Sequence, residues 1–245
     1  MKEPPDQENK MADLSNFPIT SRWPARNPDV IQLYSLATPN GVKISIALEE
    51  LGLPYEAHLI SFDTVDQKSP EFVSLNPNGR IPAIIDPNGP HGKPIGLFES
   101  GAILIYLAEK TGKLIPADAA GRYETIAWVM FQMGGVGPMF GQFGHFFKYA
   151  AAKVANNSYP VERYRDEAKR LLGVLEERLA SRQWIMGDEY TIADIATFPW
   201  VRGLDVFYGG KDVLELEKFP AVMDWVERAY ARPASQKGWK VPSKD

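Results

Sequence analysis

No cysteine occurs anywhere in the 245 residues. That absence excludes disulfide staples, thiolate metal sites and a cysteine nucleophile. Any thiol chemistry performed here must use a sulfur brought by a ligand. Histidine is scarce too: His58, His91 and His145 are the three in the chain. They lie far apart, and with no cysteine beside them no metal site is expected. No apolar run is long enough to span a bilayer. Residues 1–13 are polar and lack the apolar core of a secretory signal. A large excess of one charge is also missing. The formal net charge of −4 at pH 7 gives no strong field toward nucleic acid or an anionic membrane. The expectation is a cytoplasmic protein with no nucleic-acid or membrane partner.

Internal repeats and low-complexity segments are absent as well. What is present is an ordinary globular balance, 44% hydrophobic and 24% charged, in a length that suits one large domain or two small ones. Residues 1–28 read as an extension punctuated by proline. Leu14, Phe17, Ile19 and Trp23 suggest that part of it packs on the domain or on a partner subunit; a disordered arm is the alternative. Regular signals begin near residue 30. Residues 30–34 read as a strand. Thr38-Pro39-Asn40-Gly41 is a turn, and Ile44, Ala47, Leu48 and Leu51 follow at helical spacing up to Gly52. Residues 55–60 form a second strand, so the first two strands should be parallel, as in a βαβ unit. Ser69-Pro70-Glu71-Phe72 opens a short helix. Residues 81–85 and 95–98 are two further strands. Residues 100–110 form a helix that is apolar nearly all round, as expected of one buried between its sheet and a second domain.

After a linker over residues 112–120 the pattern is helical only. Residues 121–151 are long and aromatic-rich, interrupted near Gly134-Gly135-Val136-Gly137-Pro138. Residues 161–179 carry a clear amphipathic stripe. Thr191-Ile192-Ala193-Asp194 is a capping box with Asp in place of Glu, and a last helix covers residues 221–229. The units are thus an N-terminal extension (1–28), a βαβ–ββα domain (29–112), an all-helical domain (121–233) and a tail (234–245). The class is α/β plus all-α.

This order of elements, with Ile81-Pro82 at the third strand and Glu99-Ser100 at the following helix, resembles the glutathione transferase superfamily over residues 30–233. Four phrases carry the resemblance: Thr38-Pro39-Asn40-Gly41, Asn76-Pro77-Asn78-Gly79-Arg80-Ile81-Pro82-Ala83, Phe98-Glu99-Ser100-Gly101 and Gly141-Gln142-Phe143-Gly144-His145-Phe146. The pattern is most similar to the Nu class and its fungal relatives. The resemblance implies a thioredoxin-like first domain, a C-terminal helical bundle, a homodimer, and glutathione as co-substrate, with two molecules per site in some relatives.

It also implies site residues. Glu99 and Ser100, at a helix N-terminus, suit the γ-glutamyl end: free N–H groups and the helix dipole attract the carboxylate, and the Glu99 side chain pairs with the ammonium. Either residue could instead cap the helix. Ile81 would offer its backbone to the tripeptide, with the bond to Pro82 cis; a trans proline at a strand start is the alternative. Thr38 and Asn40 would hold the glutathione sulfur as thiolate, since donors and a helix N-terminus pull a thiol down from about 8.5. Both could be mere caps, and Tyr34 is the rival activator, although its expected place is packed against the helical domain. Gln67 would contact the glycyl end, or else be a solvated loop residue. Arg163 would reach a ligand carboxylate, within its own subunit or across the dimer, with Arg165 and Arg80 as rivals. Met139, Phe140, Phe143, His145, Phe146 and Tyr149 could line a second-substrate site or belong to the core.

Three functions follow from the resemblance. One is glutathione-dependent disulfide reduction, with a peroxidase side activity. Another is conjugation of glutathione to electrophiles. The third is a non-enzymatic regulatory or assembly role. The second substrate would accordingly be a small disulfide, peroxide or electrophile.

Overall fold

Alternation along the first strand, β1 (Ile31–Ser35), sends Ile31 and Leu33 into one core and Tyr34 into another on the opposite face of the sheet. The computed structural model describes residues 12–153 and 155–243. After β1 come α1 (Gly41–Leu51), β2 (Tyr55–Leu59), α2 (Pro70–Leu75), β3 (Ala83–Asp86), β4 (Ile95–Phe98) and α3 (Ser100–Thr111). The sheet order is β2-β1-β3-β4. β1 and β2 are parallel, as a βαβ unit requires, and β3 runs antiparallel to both β1 and β4. Leu33 stands opposite Ala57 on one side and Ile84 on the other.

The remaining elements are all helical: α4 (Ala119–Phe131), α5 (Gly137–Gly144), α6 (Ser158–Leu179), α7 (Ile192–Val206), α8 (Lys211–Leu214), α9 (Pro220–Tyr230) and α10 (Pro233–Gly238). The fold is therefore a four-stranded thioredoxin-like domain followed by a helical domain, as the sequence implies. The larger core runs continuously from Leu33 and Ile84 in the sheet, through Ile44 and Leu48 of α1 and Leu104 and Leu107 of α3, into Leu172, Ile195, Phe198 and Trp225 of the helical domain. One apolar mass thus fixes the two domains against each other, with α1 and α3 between the sheet and α7.

Four details depart from the sequence reading or resolve it. Residues 12–28 dock on their own domain: Leu14 and Ile19 are buried, and Phe17 and Trp23 pack over the second core. The rest of the extension lies outside the described residues. The glycine-rich stretch does not break its helix. It widens it into a π-helical turn over Gln132–Val136, between α4 and α5, and a second π turn covers His145–Tyr149. Helix α3 is only partly enclosed; Ala102 is exposed, while Ile103, Leu104, Leu107 and Ala108 are buried. The stretch after residue 233 forms α10, which packs on α1. The Ser45 hydroxyl donates to the Gly238 carbonyl at 2.6 Å, and the Arg232 guanidinium makes two bonds to the Glu50 carboxylate at 2.6 and 2.8 Å.

Candidate active site

Two helix N-termini and one cis peptide bond converge on a cavity of about 860 Å³ between the domains. That is at the upper end of the usual range for ligand pockets, about 300–1,000 Å³. The thioredoxin-like domain contributes Thr38, Pro39, Asn40, Arg80, Ile81, Pro82, Glu99 and Ser100. The helical domain contributes Gln132, Met133, Pro138, Gln142, His145, Tyr149, Trp200, Phe207 and Tyr208.

The turn before α1 is shaped by close approach. A Cβ on Gly41 would lie 1.9 Å from the Leu36 carbonyl oxygen, so only glycine permits this path. It leaves Thr38 and Asn40 at the cavity wall. The Thr38 hydroxyl accepts a long bond, 3.4 Å, from the Gly41 N–H, which leaves its own proton available. Asn40 occupies the N-cap position, but its side chain makes no capping bond. Its Oδ1 instead accepts from Lys43 Nζ at 2.8 Å and from the Trp200 indole N–H at 3.0 Å.

The Ile81–Pro82 bond is cis, directly before β3. At the start of α3, Glu99 has a φ of 69°, a left-handed value that is costly for a residue with a side chain. It makes no capping bond either, and the residue is exposed and lines the cavity. Ser100 behind it is buried, and its hydroxyl accepts from Lys43 Nζ at 3.2 Å. The capping alternatives for Asn40 and Glu99 therefore do not describe what these side chains do.

Lys43 was not singled out by the sequence. It is fully buried beneath the cavity floor, and its ammonium also donates to Gln132 Oε1 at 2.6 Å. Burial pulls its pKa down from 10.5 to about 7, against an opposing pull from the Glu99 carboxylate. Gln132 is the first residue of the π turn, and it and Met133 both line the site.

Other expected residues lie elsewhere. Tyr34 does not reach the cavity. It is buried on the other face of the sheet, stacked on His58 at 4.7 Å between ring centroids and edge-on to Trp23. The expected packing against the helical domain is thus replaced by packing under residues 12–28. The parity of β1 explains this, since Leu33 already occupies the helical side. Burial raises the Tyr34 phenol well above its ordinary pKa, which disfavours a role as activator. Gln67 sits in the short 3-10 turn Asp66–Lys68, outside the cavity wall, with a buried Oε1 that has no partner. Arg163 is exposed in an outer groove of α6 beside Tyr159, Glu162 and Asp166, so it makes no contact with the cavity of its own chain.

Of the six aromatic-stretch residues, His145 and Tyr149 line the cavity. Phe140 and Phe143 are fully buried core, and Phe146 stacks on Tyr164. Among the described residues no group of three or more His, Asp or Glu could hold a metal ion, and no helix is long and apolar enough to cross a membrane.

A thioredoxin-like sheet joined to a helical domain over a cavity floored by a cis-proline and two helix N-termini defines the architecture of the glutathione transferases. Family comparisons agree. The model of the glutathione S-transferase N-terminal domain matches residues 29–109, and that of the C-terminal domain matches residues 136–233. The chain belongs to the glutathione S-transferase family. It is 44% identical over 216 residues to the disulfide-bond oxidoreductase YghU of Escherichia coli K12, covering 85% of this chain and 73% of that protein. Two solved structures are still more similar. A glutathione transferase from Burkholderia graminis, with two glutathione molecules bound per subunit, superposes with a TM-score of 0.92. It is 62% identical, over 96% of this chain and 98% of that one. A glutathione transferase from Pseudomonas putida, with one glutathione disulfide bound per subunit, gives 0.91 at 56% identity, over 94% and 99%.

Proposed function

We propose that this protein is a glutathione-dependent disulfide-bond oxidoreductase. The observation that carries the reading is that Thr38 and Asn40 share one cavity with Ile81-Pro82 and Glu99-Ser100, in a chain with no thiol of its own. The γ-glutamyl carboxylate of glutathione would meet the free N–H groups at the start of α3, and its ammonium the Glu99 carboxylate. The Ile81 backbone would pair with the tripeptide. The cysteinyl sulfur would then lie toward Thr38 and Asn40, whose hydroxyl and amide protons would favour thiolate.

The bound thiolate attacks one sulfur of the substrate disulfide. A mixed disulfide forms, and the departing thiolate takes up a proton. A second glutathione thiolate then attacks the mixed disulfide at the first glutathione's sulfur. Glutathione disulfide forms, and the second half of the substrate leaves as a thiol. A cavity of about 860 Å³ leaves room beside the first tripeptide for that second molecule. The related structures that hold two glutathiones or one glutathione disulfide support this sequence.

The test is reduction of bis(2-hydroxyethyl) disulfide by glutathione, coupled to glutathione reductase. Turnover well above the uncatalysed exchange is expected, and a rate equal to it would overturn the reading. The aromatic wall of Tyr149, Phe207 and Tyr208 favours conjugation to apolar electrophiles as a second reading. Activity on a chloronitrobenzene exceeding that on the disulfide would establish it. We also place the protein in the cytoplasm as a homodimer. Gln67 and Arg163, which lie outside the cavity of their own chain, would meet the ligand within that dimer.

A further inference from the structure

Asn40 Oδ1 lies between two groups that can only donate, the Lys43 ammonium at 2.8 Å and the Trp200 indole N–H at 3.0 Å. The atom between two donors must be the amide oxygen, so the orientation of this carboxamide is fixed by chemistry. Its Nδ2 amino group has no partner among the described residues, and Asn40 lines the cavity. Lys43 itself is tied to Asn40, to Ser100 at 3.2 Å and to Gln132 at 2.6 Å, with the Met133 sulfur a fourth, longer contact at 3.7 Å. It therefore joins the residue at the proposed thiol end, the residue at the γ-glutamyl end and the π turn of the helical domain.

We propose that Lys43 and Trp200 are positioning residues for the glutathione sulfur: together they hold the Asn40 carboxamide with its amino group facing the cavity, so that it donates to the thiolate. This rests on the oxidoreductase reading. Neither residue needs to touch the sulfur. Lys43 is sealed beneath the floor, and in its protonated form, below a pKa that burial brings down to about 7, it adds a positive potential there; the ionised group acting on it is the Glu99 carboxylate. Trp200 acts from α7, where Gly203, one turn further on, lets the helix approach Pro39 closely. The alignment therefore depends on the two domains being docked.

The experiment titrates the thiol of glutathione bound to the protein, read by ultraviolet thiolate absorbance and by the acid limb of the kcat/KM profile for disulfide reduction. Glutathione affinity is measured in parallel by calorimetry. Trp200→Phe keeps the ring and removes the donor. Lys43→Met keeps the length and removes the charge. Each should raise the bound thiol pKa by about one unit, a roughly tenfold smaller thiolate fraction on the acid side, with a smaller change in affinity. In an Asn40→Ala background, Trp200→Phe should add nothing further. A wild-type thiol pKa below that of free glutathione that Trp200→Phe leaves unchanged overturns the inference alone. So does a Trp200→Phe effect that is undiminished in the Asn40→Ala background. A wild-type thiol pKa equal to that of free glutathione overturns the thiolate reading, and this inference with it. Because Trp200→Phe removes only one donor, the outcome stands even where Lys43→Met fails to fold.

Discussion

Replacing Asp194 with alanine should destabilise the helical domain without altering the site. Asp194 is fully buried, at the N-terminal capping box of α7. Its Oδ1 accepts from the Ile185 N–H and the Trp225 indole N–H, both at 2.9 Å, and its Oδ2 from the Thr191 N–H at 2.9 Å. One side chain thus ties α7 to the loop before it and to α9. Alanine leaves three buried N–H groups without acceptors, at about 1–3 kcal/mol each. Against this stands the cost of the charge itself, since burial lifts the carboxyl from 3.8 to about 6. That shift is worth ~3 kcal/mol, and the variant no longer bears it. At about 2 kcal/mol per donor the net loss is on the order of 3 kcal/mol, and for a chain of this size Tm falls by roughly 6–12 °C. Urea unfolding at pH 7 followed by tryptophan fluorescence would measure it, with disulfide reductase activity at low temperature as the control. A loss below about 1 kcal/mol would refute the claim that these three donors depend on Asp194.

Tyr34→Phe should leave glutathione affinity and the pH–rate profile as they are. It should also cost no stability, because the phenol oxygen is buried without a partner; a large loss of kcat with unchanged folding would make Tyr34 the activator after all. Lys43 gives a pH signature. Its folded pKa of about 7 lies below the ordinary 10.5, so between those values the unfolded chain binds more protons and stability rises with pH. Wild type should gain several kcal/mol relative to Lys43→Met across that window, up to ~5 by the size of the shift, and parallel stability curves for the two proteins would contradict it.

Much of this fold is legible from the order of elements, because each strand and helix carries its own period and stop signal. Gly52 ends α1 in a left-handed conformation, Ser69 caps α2 through the Phe72 N–H, and Thr191 and Asp194 form their capping box reciprocally. Those signals are local, and local physics decides them. The π turns are not legible in the same way. Glycines and Pro138 announce an interruption, but a widened turn and a broken helix have the same composition. Only the neighbours choose between them. Gln132 is drawn to Lys43, and Trp200 lies 3.5 Å from where a Cβ on Gly137 would stand.

The site divides along the same line. Thr38, Asn40, Ile81, Pro82, Glu99 and Ser100 each sit at a turn, strand start or helix start with a local signature; the resemblance, not that signature, singles them out, and all six line the cavity. Lys43 has no signature. It stands among the apolar residues of α1, and a single lysine on such a helix reads as a solvated cation. Its partners Ser100 and Gln132 are 57 and 89 positions away. No window of sequence contains them together, so the burial that changes its chemistry exists only after the domains have docked. The same holds for Trp200, 160 positions from Asn40. The motifs shared with the family therefore mark the residues that would touch glutathione. The residues that aim them belong to the interface between the domains, and a substitution in α7 can disturb the thiol without lying in any motif.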